Sequence, residues 1–235
     1  MVSITCQKRA TGIPDRDSLK YHLQHFKLAR TLIEGAFGKV VLAEHTRENK
    51  MYEVKVLKND LKLSDELIVL GSKSRFLQNI HSYFQLSDLL VLTTEHIPGN
   101  NLLFHLSGAG QFCEELARFY SAEIVLGLQY LHCHGIIYKH LSLETVMLTR
   151  EGHAVLTVAF IMHRSCKLAC IAPELPSGCP PSPSADCWNL GIMIYQMVAG
   201  KYPFLHDDEQ VLSIMIQYMM VVIPSTFSKD FDILI

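Results

Sequence analysis

Charge of one sign is what this 235-residue chain most plainly lacks. Its 21 lysines and arginines face 23 aspartates and glutamates, for a formal net charge of −2. Without a positive surplus there is no long-range field to gather nucleic acid or an acidic bilayer, and neither partner is expected. Long apolar runs are also missing. The longest, residues 211–224, is too short to span a bilayer and is interrupted by Gln217 and Tyr218, so no membrane insertion is expected. The opening residues 1–8 hold no apolar core of the kind a secretory leader needs. Seven cysteines, an odd number without paired metal-site spacing, favour reduced thiols and a cytoplasmic or nuclear setting. Charged residues make up only 19%, whereas hydrophobic residues reach 49% with a mean hydropathy of +0.19. That balance excludes a disordered or collagen-like chain and leaves material for a large core. No internal repeat is visible.

What is present falls into two textures. Short β-type runs cover residues 28–33, 39–44, 51–57 and 89–94, with Glu34-Gly35-Ala36-Phe37-Gly38 as a Gly-rich turn between the first two. Residues 65–78 have mixed helical spacing. Residues 80–84 form a further short segment. Pro98-Gly99-Asn100-Asn101 is a turn cluster and a candidate boundary. Beyond it the texture turns helical. Leu116, Phe119, Tyr120, Ile124, Gly127, Leu128 and Leu131 recur at three- and four-residue spacing, which predicts a long amphipathic helix. Residues 136–148 and 152–158 read as short strands around a loop. Residues 187–200 carry no charge and predict a helix buried on every side. Residues 176–183 are Pro/Ser-rich and read as a loop, and residues 212–222 predict an apolar helix.

The motifs sharpen the reading by their order. Gly35-Ala36-Phe37-Gly38-Lys39-Val40 sits in a hairpin rather than at a strand-to-helix turn, which disfavours a dinucleotide fold. Lys55 follows within a strand, in Glu53-Val54-Lys55-Val56. Then come Tyr138-Lys139-His140-Leu141-Ser142-Leu143-Glu144-Thr145, Ala172-Pro173-Glu174 and Asp186-Cys187-Trp188. In this order the chain resembles the eukaryotic protein kinase domain. The wording of residues 112–124 and of Gly152-His153 is similar to the AGC group, around protein kinase C, protein kinase C-related kinases and protein kinase B.

The resemblance implies an α+β, two-lobed fold: an N-terminal extension over 1–25, a small β-rich N-lobe over 26–97 and a helical C-lobe over 98–235. Against the family pattern that C-lobe is expected to be incomplete at its C-terminus. The resemblance also places Gly35, Gly38, Val40, Lys55, Glu95 and Ile97 at nucleotide-contacting positions. Lys55 would hold the α- and β-phosphates; the alternative is an ordinary strand-edge lysine.

The same resemblance exposes departures. Ile33 replaces the first glycine of the turn. Glu53 replaces an alanine packed on the adenine and, two residues from Lys55 on a strand, points to the same side. It either captures the lysine or bends out to solvent. Lys73 falls where the family's regulatory helix carries a glutamate, with Glu66 as a distant substitute, and residues 80–84 are shorter than the family's segment after that helix, so one strand of the small sheet is expected to be missing. His140 falls at the catalytic aspartate, Ser142 at the phosphate-contacting lysine, and Thr145 and Val158 at the two magnesium-ligand positions. Residues 159–171 form a short activation segment whose one hydroxyl side chain is Ser165. Asp186 matches a buried aspartate that holds the catalytic-loop backbone, and Glu174 lacks the family's late arginine and would need solvent or a partner protein.

No catalytic residue is therefore expected intact; ATP is a candidate ligand and magnesium is not expected. Adjacent His132-Cys133-His134 reads as a helix-end polar cluster rather than a zinc site. Three functions stand open: a pseudokinase that scaffolds or regulates protein partners such as active kinases or their substrates, a weak ATP-binding serine/threonine kinase, and a decayed product without stable fold.

Overall fold

Alternating residues on a strand can serve two environments at once, and the first half of the chain is built on that property. A computed structural model describes residues 23–35, 38–58, 74–85, 89–158, 168–175, 178–224 and 227–228. They divide into two units. The first carries residues 23–58 and 79–96, the second residues 74–78 and those from 97 onward.

The first unit is one antiparallel sheet: β1 (Phe26–Gly35), β2 (Gly38–His45), β3 (Lys50–Lys58), β4 (Ile80–Gln85) and β5 (Leu89–Glu95), in the order β1-β2-β3-β5-β4. The expected loss of a strand is corrected here. Residues 80–85 are enough to pair with β5 from Ile80↔Thr94 to Gln85↔Leu90, with an irregularity after Ile80. An edge strand needs partners on one side only, so a six-residue segment suffices. On β3, Tyr52 and Val54 share a face with Ala43 and Val41 of β2, while Glu53 and Lys55 share the other with Leu42 and Val40. Ala43, Val54 and Val91 form the small core of the first face.

The second unit holds α1 (Leu102–Ala109), α2 (Glu114–His132), the hairpin β6 (Val146–Leu148) and β7 (Ala154–Leu156), α3 (Pro183–Ala199) and α4 (Glu209–Tyr218). Asn101 caps α1 by accepting from the Phe104 N–H, and Asp208 caps α4 by accepting from Gln210 and Val211. Pro183 opens α3, where its missing N–H costs nothing. The apolar stripe of α2 supplies Ala117, Tyr120, Ile124, Leu128 and Leu131 to the main core, against Met193 and Met197 of α3 and Leu148 and Leu156 of the hairpin. Fully burying one leucine, isoleucine or methionine of this core contributes about 1.5–3 kcal/mol.

Three expectations shift. The helix expected over 65–78 lies largely outside the described residues, and its described end, 74–78, is a turn leading to an isolated bridge between Leu77 and Leu156. Residues 136–145 form a loop rather than a strand, and only 146–148 pair with β7. The last helix stops at Tyr218, with Met219 extended. The β-branched run Val221-Val222-Ile223 before Pro224 opposes further helix. Instead the Val222 carbonyl accepts from Tyr195 Oη at 3.1 Å.

Gly200 closes α3 with φ 70°, and a Cβ built there would lie 2.5 Å from the Gly110 carbonyl oxygen. Gly200→Ala should therefore lose about 1–3 kcal/mol of stability, read as a lower urea midpoint. An unchanged midpoint would show that the α1 and α3 ends can part freely.

Candidate functional site

Within the sheet, the Gly-rich turn joins β1 to β2 with Gly35 opposite Gly38. Gly38 has φ 156°, and a Cβ built on it would lie 2.2 Å from the Val56 carbonyl oxygen, so β3 can approach the turn only because no side chain is there. Val40 is buried and directly opposite Lys55. Lys55 is itself 3% exposed. Its Nζ lies 3.3 Å from Oε2 of Glu53, whose other oxygen lies 3.0 Å from His96 Nδ1.

Glu53 therefore does not bend out to solvent: it is buried between a lysine and a histidine. Burial pushes the Lys55 ammonium below the ordinary lysine range, and the Glu53 carboxylate opposes that shift. The sequence reasoning missed His96. Its signal was the demand of a buried carboxylate for more than one donor, with a histidine directly after the strand that neighbours β3.

Two further nucleotide positions are expected, Glu95 and Ile97. Glu95 is exposed and stands opposite Tyr52, on the sheet face away from Lys55. Its backbone N–H donates to the Asn79 carbonyl. Ile97 is buried in the second unit. Ile33 is largely exposed on β1. Ala36, Phe37, Glu66, Lys73 and Ser165 lie outside the described residues.

In the second unit the chemistry gathers around Asp186, which is fully buried near the start of α3. Its Oδ2 accepts from the Tyr138 N–H at 2.7 Å and pairs with His132 Nε2 at 2.8 Å, while Oδ1 accepts from the Lys139 N–H at 2.7 Å. Lys139 sits at φ 70°, a left-handed conformation that a non-glycine residue adopts only when its surroundings impose it. The Tyr138 phenol donates to the Thr157 carbonyl at 2.6 Å, and burial pushes its ionisation well up.

Thr145 is buried. Its hydroxyl oxygen accepts from the Ser142 N–H at 3.1 Å and lies 3.0 Å from the Ser142 carbonyl. His140 is part-buried, and its Nδ1 is buried without a hydrogen-bond partner among the described residues. Val158 is buried and donates its N–H to Gln78 Oε1 at 3.3 Å. The neighbouring polar residues are structural as well. His132 serves Asp186, and His134 Nδ1 lies 2.7 Å from the Tyr130 carbonyl at the end of α2. Glu174 accepts from the Ser184 hydroxyl at 3.2 Å, so one partner is supplied within the chain.

Five antiparallel strands precede a helical unit that carries an Asp186-held loop. Residues 26–233 match the family model described as protein kinase domain. The chain belongs to the protein kinase family. It is similar to protein kinase C epsilon type from Oryctolagus cuniculus, 34% identical over 229 residues, covering 88% of this chain and 31% of that protein. Protein kinase C delta type from Mus musculus is 36% identical over 216 residues, 83% of this chain and 32% of the relative. Protein kinase C eta type from Mus musculus is 33% identical over 244 residues, 95% and 36%. The chain thus spans about a third of the length of these relatives. No helix among the described residues is long and apolar enough to cross a membrane.

In this kinase domain Asp186→Asn should cost about 3 kcal/mol in urea denaturation, because an amide cannot accept from two N–H groups through both of its heavy atoms. A loss below about 1 kcal/mol would show that the loop is held by other means.

Proposed function

We propose that this kinase domain is a pseudokinase, a scaffolding or regulatory module that binds protein partners and transfers no phosphate. The carrying observation is the buried Glu53–Lys55 pair, 3.3 Å apart within one strand. Kinase domains generally bind ATP, and the lysine at this position would have to face phosphate. Here its charge is already matched, and a second carboxylate oxygen engages His96. Nucleotide phosphates would meet a neutralised pair in place of a free cation.

The second unit supports the same reading. Magnesium needs oxygen donors, usually carboxylates together with substrate phosphates. Val158 offers none from its side chain, and the Thr145 hydroxyl is committed to its own loop. The residues at these positions do not fit the metal. His140 could take a proton, but phosphoryl transfer depends mainly on positioning and charge stabilisation. One positioned group is commonly worth roughly 10²–10³ in rate, and several losses together leave no useful turnover even without additivity. A protein partner finds support in the exposed Tyr218, Met219, Met220 and Val222, an adaptable apolar run at the end of α4. The alternative, a weak ATP-dependent serine/threonine kinase, draws on Gly35, Gly38 and the position of Lys55.

Thermal melts with ATP, with and without magnesium, test the reading alongside a radiolabelled phosphotransfer assay. Wild type should melt cooperatively without a magnesium-dependent shift and should label no substrate. Glu53→Ala should melt lower, since removing one member of a buried pair costs about 3 kcal/mol, yet should bind ATP more tightly in calorimetry. A magnesium-dependent shift with labelling in wild type would sink the proposal in favour of the kinase. Absence of a cooperative melt would favour the decayed chain.

A further inference from the structure

A second cluster lies on the other face of the same sheet, away from Glu53 and Lys55. His45 ends β2, Glu48 lies in the turn between β2 and β3, and His81 begins β4. These residues are 3 and 33 positions apart along the chain, yet one ligand atom from each lies within 4.8 Å of the other two. His45 Nδ1 and Glu48 Oε1 are 3.9 Å apart. The imidazoles of His45 and His81 have centroids 5.9 Å apart and tilt by 58°.

The surroundings orient these groups. Tyr52 is buried on β3 and donates its hydroxyl to Glu48 Oε2 at 2.5 Å, leaving Oε1 on the side of His45. This hydrogen bond holds the Glu48 carboxyl below the ordinary carboxylate range. His81 stacks obliquely on the Tyr52 ring at 4.7 Å, and Phe26 packs edge-on against His45 at 4.8 Å. One tyrosine thus steers the carboxylate with its hydroxyl and supports an imidazole with its ring. Carboxylates that ligate metals are themselves held by hydrogen bonds from outer groups, the part the Tyr52 hydroxyl would play here.

We propose that His45, Glu48 and His81 form a zinc-binding site that ties the β2–β3 turn to β4. Two imidazoles and a carboxylate are a donor set that suits zinc and leaves a fourth position for water. Tetrahedral zinc, with bonds of about 2.0–2.2 Å, places its ligands about 3.4 Å apart. Closing the present spacing takes about 1 Å of side-chain movement, which the exposed Glu48 and His81 can supply. His45 Nδ1 would exchange the long hydrogen bond it accepts from the Glu48 N–H, 3.3 Å, for the metal. The ion would cross-link segments that the sheet itself joins only through β3 and β5.

The full chain, purified under reducing conditions and loaded with zinc chloride or cobalt chloride, provides the test. One equivalent of zinc should survive dialysis and raise the melting temperature. His81→Gln and Glu48→Gln should each abolish that equivalent, and Tyr52→Phe should weaken it about 10- to 100-fold, as loss of an orienting partner does. His134→Gln, at an exposed histidine elsewhere, should change nothing. The cobalt spectrum should show ligand-field bands without a thiolate charge-transfer band. Exposed Cys113, Cys133, Cys179 and Cys187 compete for metal, so a thiolate band would assign the ion to them and overturn the proposal. Zinc retention unaffected by either His81→Gln or Glu48→Gln, or no retained zinc in wild type, would overturn it equally.

Discussion

Asp186 has no solvent to turn to, and three separate parts of the second unit are arranged around that fact. A carboxylate removed from water is costly unless every lone pair direction meets a donor. The donors here are two consecutive backbone N–H groups and the imidazole that ends α2. Because the backbone groups belong to Tyr138 and Lys139, the chain must turn at that point, and the positive φ of Lys139 is the result. The turn directs the Tyr138 ring inward, where its hydroxyl reaches the Thr157 carbonyl beside β7. Helix α3, the end of α2, the loop and the hairpin are thereby fixed by one side chain.

Glu53 presents the same problem in the first unit and solves it differently. Its partners among the described residues include two side chains, Lys55 and His96. Side chains can be exchanged by mutation without altering the course of the strand, whereas the backbone donors of Asp186 cannot. This difference explains how a frame and its chemistry can separate. Asp186 holds its loop through backbone groups, so side chains such as His140, Thr145 and Val158 can differ in identity without altering the course of that loop. On the reading proposed above, what remains is a shape suited to contact with other proteins.

Much of this was legible in the chain. The strand runs 28–33, 39–44, 51–57 and 89–94 each lie inside an observed strand, since period-two patterning survives wherever one face is buried. The stripe from Leu116 to Leu131 lies within α2 for the corresponding helical reason. The order of short motifs identified the family, and the strand parity of Glu53 and Lys55 anticipated their meeting. Long-range partners were less accessible. His96 meets Glu53 across 43 residues and His81 meets His45 across 36, separations that no local pattern encodes. The end of α4 falls short of the apolar tract that predicts it, because the β-branched run before Pro224 decides the backbone. The fourth strand forms despite its short segment because an edge strand needs partners on one side only.

Strand β3 carries neighbouring residues with opposite obligations: Tyr52 holds Glu48 on one face, and Glu53 holds Lys55 on the other. A shift of β3 by one position against β2 and β5 would turn every side chain over at once. Tyr52 would then leave the histidines, and the Glu53–Lys55 pair would be delivered into the apolar face lined by Ala43 and Val91. Both errors arise together and neither offsets the other. The alignment of this sheet is thus enforced twice over, by a polar penalty on each side, and a folding chain that pairs these strands one step out has no neighbouring minimum in which to rest.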